Sequence, residues 1–374
     1  MDMKKSIKII LSIIISVAVV VAGIFGIIAI QRKNIVEKGD YSAVNGASDR
    51  VVLFIGDGMG YNHIKTASAY LERDIFFDKF EQSGYVSTFS LNMIAPTDSA
   101  AAATALATGT KVDNGEVAYH GGKNIKSISE YAKEKGYSVG IVTTDSLTGA
   151  TPAGFSAHAT GRGESEKIVT TQLSSNIDLF LGAGASTYNG YKADWEAKGY
   201  KFTNKYSELD MASDKIIGAF DNISNYTGDD EHPTLPQLVD FAVDYMEAKH
   251  GDKYFLMVEG AHIDKMSHKN KMKEMIEYLD EFDNTIRLVH NKMQSVDNYS
   301  LIVTADHETG GLKYSGQTKA EIDNNMFTRG GHSSADVRYY IDWKLNTTKN
   351  IEGLVPNKID NTSIFKICYA LLCG

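Results

Sequence analysis

Cysteine is nearly missing from this chain: there are two in 374 residues, Cys368 and Cys373, both near the C-terminus. That excludes a disulfide-stapled scaffold and leaves any zinc chemistry to histidines and carboxylates. Whether the two thiols pair is left open. An excess of positive charge is lacking too. A formal charge of -9 has the wrong sign for a partner built of phosphates, which argues against nucleic-acid binding. Like-charge blocks, low-complexity tracts and internal repeats are also absent, so nothing points to a solenoid or a disordered tail. What remains is a length for one large domain or two ordinary ones, with an apolar fraction of 43% that gives an ample core.

The N-terminus departs from this composition. After Lys4, Lys5 and Lys8 comes "IILSIIISVAVVVAGIFGIIAI", Ile9 to Ile30, which carries no charge and exceeds the roughly 20 residues that cross a bilayer as a helix. A cleaved signal has a shorter apolar core and a small-residue cleavage site, so an uncleaved anchor is expected. Arg32 and Lys33 follow, and the positive-inside rule weakly favours a cytoplasmic N-terminus. The rest then lies outside the membrane, at the cell surface, or secreted if the segment is removed. The expected organisation is a basic stub and anchor over 1–34, a polar tether over 35–48 and a folded domain over 49–374.

Within that domain, continuous apolar runs recur between helical stretches: "RVVLFIGDG" at 50–58, "YSVGIVTTD" at 137–145, "IDLFLGAG" at 177–184, "KYFLMVEG" at 253–260 and "YSLIVTAD" at 299–306. Runs without alternation fit strands buried on both faces, which predicts a three-layer α/β/α sandwich with a mostly parallel central sheet. Ligands of such sheets bind outside the carboxyl ends of the strands. Four of those ends carry an acid, namely Asp57, Asp145, Glu259 and Asp306. Acids gathered at one edge repel one another unless cations neutralise them. "IGDGMG" lacks the glycine spacing of a dinucleotide loop, and its glycines fit a tight turn around a metal-bound Asp57.

"TDSAAAATALATG", Thr97 to Gly109, predicts a helix beginning near Ser99, since alanine propagates helix and Asp and Ser start it. Ser99 reads as a capping hydroxyl or as a group placed where a helix N-terminus favours phosphate. In "VEGAHIDKMSHKN", Asp264 and His268 stand four apart, on one helix face, where both can grip one ion. "TADHETGG" adds Asp306 and His307, and "RGGHSS" adds His332 between a glycine and serines. His63, His120, His158, His232, His250 and His290 have no such setting and read as structural or solvated. So does His262, although it sits two before Asp264.

Together and in order, "IGDGMG", "PTDSAAAATALATGT", "TGATPAGFSAHATGR", "VEGAHIDKMSH", "VTADHETGG" and "GGHSS" resemble the alkaline phosphatases, from about Arg50 to the C-terminus. The resemblance implies hydrolysis of small phosphate monoesters through a phosphoserine, with two zinc ions and a magnesium. It implies Ser99 as nucleophile and zinc ligand, and Asp57 as the carboxylate joining one zinc to the magnesium. Asp264, His268 and His332 resemble the ligands of the first zinc, and Asp306 and His307 those that join Asp57 and Ser99 at the second. Thr151 and Glu259 resemble magnesium ligands, Arg162 resembles the phosphate clamp, and a homodimer is common in the family.

One departure stands out. Many relatives carry an aspartate or histidine two residues before the threonine, where this chain has Gly149. With no side chain there, Lys265 is expected to be unpaired and to reach the phosphate, and occupancy of the magnesium site is in question. The short stretch from Arg162 to Asp240 leaves little room for accessory insertions, which fits an open site of broad specificity. A sulfatase would need a different setting around its nucleophile than "DSAAA". A phosphodiesterase of the same superfamily typically lacks the Thr151, Glu259 and Arg162 set. A membrane-tethered phosphate or metal binder without catalysis would not need a serine among the metal ligands.

Overall fold

The computed structural model describes residues 10, 11, 13–21, 23 and 38–374, except 93, 251 and 252. The chain divides into two units, Met1–Lys38 and Gly39–Gly374. In the first, the described residues between 10 and 21 are helical. Among the described residues no helix is long and apolar enough to cross a membrane; much of the expected span, Ile9 to Ile30, lies outside them. Of the expected tether, 35–48, the residues before 38 lie outside the described ones. Tyr41, Val44 and Ala47 are buried in the larger unit, because this segment carries apolar side chains that the core accepts.

The larger unit is built on a ten-stranded sheet. In chain order its strands are β1 (Arg50–Gly56), β2 (Gln82–Ser87), β3 (Ser138–Ser146), β4 (Leu179–Ala183), β5 (Tyr200–Thr203), β6 (Lys215–Phe220), β7 (Tyr254–Gly260), β8 (Tyr299–Thr304), β9 (Val337–Lys344) and β10 (Lys358–Asp360). Their order across the sheet is β10-β2-β9-β8-β1-β7-β3-β4-β6-β5. Only β9 runs antiparallel to its neighbours β8 and β2. The five apolar runs are the middle of this sheet, and every residue of β1 and β7 is buried, as expected for strands covered on both faces. The five further strands lie at the flanks. β9, "VRYYIDWK", is polar enough to escape a search for continuous apolar runs.

Helices cover the sheet in two sets. The first comprises α1 (Ser99–Thr108), α2 (Ile128–Glu134), α3 (Ala150–Ser156) and the C-terminal Thr362–Cys373, which pack on one another. Tyr61–Leu71, Leu235–His250 and Met272–Met293 form the second. In Met272–Met293 the buried Met275, Ile276, Leu279, Phe282, Ile286 and Val289 follow helical spacing, and Phe282 meets Phe54 of β1 edge to face at 6.1 Å. All ten residues of α1 are buried. Its alanines let α3 approach so closely that a Cβ on Gly154 would lie 3.0 Å from that of Ala103.

Both cysteines are buried and unpaired in the C-terminal helix. The sandwich and its mostly parallel sheet are as the sequence predicts.

Candidate active site

Register brings the acids together. Ile55 of β1 lies opposite Thr304 of β8 and Glu259 of β7, and Glu259 lies opposite Thr143 of β3. The ends of four adjacent strands therefore present Asp57, Asp145, Glu259 and Asp306 along one edge. At Gly58 the backbone turns with φ 71°. A Cβ there would meet the Cα of Asp264 at 2.8 Å, and its N–H donates to Asp306 Oδ1 at 3.0 Å. Glycine thus lets the β1 turn press against the helix that carries Asp264.

Ser99 is not the cap of α1. Asp98 is, its Oδ1 accepting from the N–H of Ala101 at 3.0 Å, a contact worth about 1 kcal/mol. Ser99 is the first helical residue, with its Oγ free to face the sheet edge, 3.2 Å from His307 Nε2. The other carboxylate oxygen of Asp98 holds Arg162 Nη1 at 3.2 Å, so one acid fixes both the helix start and the half-exposed guanidinium beside it.

The histidines are oriented by backbone carbonyls. His268 Nδ1–H donates to the carbonyl of Gly330 at 2.6 Å, and His332 Nδ1–H donates to that of Thr97 at 2.8 Å. Each ring is thereby fixed with its Nε2 turned inward, bare whenever the ring is neutral, and the two Nε2 atoms face each other at 3.1 Å. Asp264 Oδ2 lies 3.3 Å from His268 Nε2, and its Oδ1 lies 3.7 Å from His332 Nε2. Three acceptors converge, and neutral rings have no proton to share. The hydrogen bond to Asp264 therefore pushes His268 up to about 9, and burial, first, lowers His332.

Around His307 the logic repeats. Thr309 Oγ1 gives its proton to Asp264 Oδ1 at 2.5 Å and accepts from His307 Nδ1–H at 3.2 Å, which turns a bare Nε2 toward Ser99, Asp57 Oδ1 at 3.5 Å and Asp306 Oδ2 at 3.1 Å. Burial pushes His307 down to about 4. Burial also raises Asp57 well above the carboxylate range, with Asp306, Asp264 and Glu259 adding repulsion, and Asp306 rises to about 6, burial first. Asp57 Oδ1 and Asp306 Oδ2 are buried without a hydrogen-bond partner. Two groups of ligand atoms, Asp264 with His268 and His332, and Asp57 with Asp264 and His307, are each compact enough to hold one ion. Asp264 belongs to both. Orphaned buried carboxylate oxygens and converging bare nitrogens fit cations, which remove a penalty of several kcal/mol per buried charge.

On the other side of Asp57 the donors are oxygens. Glu259 is 1% exposed and accepts from Thr143 Oγ1; burial, then Asp145, pushes it up to about 8. Thr151, at the start of α3, has a buried Oγ1 whose one neighbouring acceptor is Glu259, outside ideal hydrogen-bond geometry. Lys265 is not unpaired as expected: its Nζ donates to Asp145 Oδ1 at 2.5 Å. Gly149 removes one partner, and the end of β3 provides another.

The sequence-predicted residues Asp57, Ser99, Thr151, Arg162, Glu259, Asp264, Lys265, His268, Asp306, His307 and His332 thus line one edge of the sheet. The remaining histidines with described side chains have other partners, such as Ser267 for His63 at 3.1 Å and a stacked Tyr278 for His262 at 4.7 Å. Thr309 and Asp98 were missed as positioning residues. Each stands within two residues of an expected ligand, which was the available signal.

The pattern that defines the alkaline phosphatases matches residues 48–353. Alkaline phosphatase 4 of Bacillus subtilis is 30% identical over 326 residues, covering 80% of this chain and 69% of that protein. For alkaline phosphatase 3 of the same organism the identity is 29%, over 70% of this chain and 61% of the relative. The structure of alkaline phosphatase from the Antarctic bacterium TAB5 superposes with a TM-score of 0.74 at 26% identity, over 87% of this chain and 98% of that one. A variant of it, with one histidine replaced by glutamate, has Mg bound in its M3 site. Sequence pattern, relatives and fold agree: the chain belongs to the alkaline phosphatase family and is a phosphatase.

Proposed function

We propose that the chain hydrolyses small phosphate monoesters to alcohol and inorganic phosphate, with Ser99 as the nucleophile. The observation that carries this reading is the position of Ser99, at the first turn of α1 and 3.2 Å from the bare Nε2 of His307, among carboxylates that need cations.

The nitrogen and carboxylate groups fit zinc, with Asp264, His268 and His332 holding one ion and Asp57, Ser99, Asp306 and His307 the other. The oxygen set of Asp57, Thr151 and Glu259 fits magnesium, as the Mg in the M3 site of the TAB5 variant supports. Such ions, when bound, lower the pKa of hydroxyl and water and neutralise charge on the transferring phosphoryl group. Ser99 Oγ forms its bond to phosphorus as the bond to the ester oxygen breaks, releasing the alcohol. Water then displaces Ser99 from phosphorus, freeing phosphate. Arg162, aligned by Asp98, offers a planar fork to two phosphoryl oxygens, and the positive end of α1 favours the anion. Lys265 stands at the rim, paired with Asp145, as a further cation for the phosphate.

The apolar segment Ile9 to Ile30 supports a membrane anchor with the catalytic unit outside the cytoplasm, and the family supports a homodimer. The test is release of nitrophenol from p-nitrophenyl phosphate against the diester analogue, with chelator, with zinc restored and with Ser99→Ala. Zinc-restored monoester turnover lost in Ser99→Ala, with phosphate trapped on Ser99 in acid-quenched wild type, is the expected result. Preference for the diester would make the chain a phosphodiesterase, and turnover of neither a binder.

A further inference from the structure

Asp145 is the one strand-end acid to which the family resemblance gives no role. Its Oδ1 holds Lys265, while its Oδ2 lies only 2.6 Å from where a Cβ on Gly149 would stand. Gly149 has φ -56° and ψ 157°, a conformation open to any residue. Glycine is required there by occupancy and not by backbone strain: the carboxylate of Asp145, together with the carbonyl oxygen of Ser146 at 2.8 Å, fills the space that a side chain at 149 would take.

That carboxylate stands beside a place short of one cation. Glu259 is buried and electrostatically opposed by Asp145, and the buried Thr151 Oγ1 has only the neighbouring Glu259 carboxylate to interact with. Asp145 is itself anchored, its N–H donating to Thr143 Oγ1 at 2.8 Å, the same hydroxyl that donates to Glu259. One threonine therefore sets the spacing of the two acids.

We propose that Asp145 replaces the missing position-149 side chain, completing from the end of β3 an oxygen-lined magnesium site with Glu259 and Thr151 while holding Lys265 at its rim. This rests on the phosphatase reading above, and it converts the departure at Gly149 from a loss into a transfer of the ligand from one element to the next. Oxygen donors alone select a hard cation such as magnesium over zinc. Because magnesium keeps several of its waters, Asp145 can act on the ion directly or through its water shell.

The test is equilibrium dialysis of the zinc-loaded full chain against magnesium chloride, with metal content read by atomic emission and the magnesium-dependent rise in Tm read in parallel. Wild type is expected to bind one magnesium beside two zincs. Asp145→Asn keeps the shape and removes the charge, and should weaken magnesium binding by about 10-fold or more with zinc content unchanged. Gly149→Asp should also weaken it, since its carboxylate would compete with Asp145 for one space. Asp145→Glu keeps the charge and should hold magnesium to within about 3-fold of wild type, which a purely structural role for Asp145 would not give. Magnesium affinity unaltered in Asp145→Asn, or lost as fully in Asp145→Glu as in Asp145→Asn, overturns the proposal. So does a wild type that binds no magnesium, which would leave Lys265 as the cation of this site. In each of those cases, two bound zincs with Ser99-dependent turnover would leave the phosphatase reading standing.

Discussion

The site has two halves that meet at Asp57, and they treat buried charge differently. In the histidine half, backbone carbonyls and Thr309 engage the Nδ1–H of each ring, so three Nε2 atoms and the carboxylates point at one another, and the nearest protein counter-charge is the proton that Asp264 draws onto His268. In the oxygen half, Lys265 already neutralises Asp145 and lies near enough to Glu259 and Asp57 to be held above its ordinary pKa despite burial. The first half has no permanent cation among its ligand atoms, whereas the second carries part of its counter-charge in Lys265.

The largest effects should come from breaking the histidine half. A strong chelator should reduce turnover at least about 1000-fold and lower Tm by on the order of 10 °C, because several buried carboxylates lose their counter-charge together; zinc should restore both. Ser99→Ala should cost at least about 1000-fold in kcat yet leave Tm nearly unchanged, since Asp98 and not Ser99 caps α1. A large fall in Tm for this variant would contradict that assignment. Thr151→Ala, in the oxygen half, should cost about 10-fold in activity and be compensated by excess magnesium, with zinc content intact. Lys265→Ala should raise KM and weaken phosphate inhibition by about 10-fold. Unchanged values of both would remove Lys265 from the phosphate site.

The smallest effect sharpens the comparison from outside the site. Glu281 is a buried acid with an unpartnered Oε1, pushed up to about 7 from an ordinary 4.5, burial first. Its folded pKa lies above its unfolded one, so it costs nothing below about pH 4 and destabilises increasingly as pH rises through 7. Glu281→Gln should therefore raise Tm by a few degrees at pH 8 and leave it unaltered at pH 4. Equal Tm at both pH values would mean that this acid is not opposed by its surroundings.

The centre of the fold was legible because strands buried on both faces must be apolar throughout, and β1, β3, β4, β7 and β8 are. The flanks were not: β9 and β2 alternate with polar residues, and β10 is three residues long. The cluster of candidate ligands was legible because acids and histidines gathered at strand ends have few other uses. What the sequence hid were relations across distance. That Asp145 reaches Lys265, 120 residues away in the chain, follows from the adjacency of β3 and β7 and from the lack of a side chain at Gly149. The capping role assigned to Ser99 failed for a local reason, since Asp98 precedes it and an aspartate competes well for the same N–H groups.

The close contact of Gly154 with Ala103 has a consequence for how this protein can change. Ser99 and Thr151 stand in the first turns of the two helices that meet there, and the methyl group of Ala103 is packed directly against the backbone of Gly154 at that crossing. A larger residue at either position would move the serine and the threonine in a single displacement, so the wall cannot be tuned in small steps. Drift in substrate preference is thereby channelled to the exposed rim around Arg162 and Lys265, where side chains can lengthen without shifting a helix.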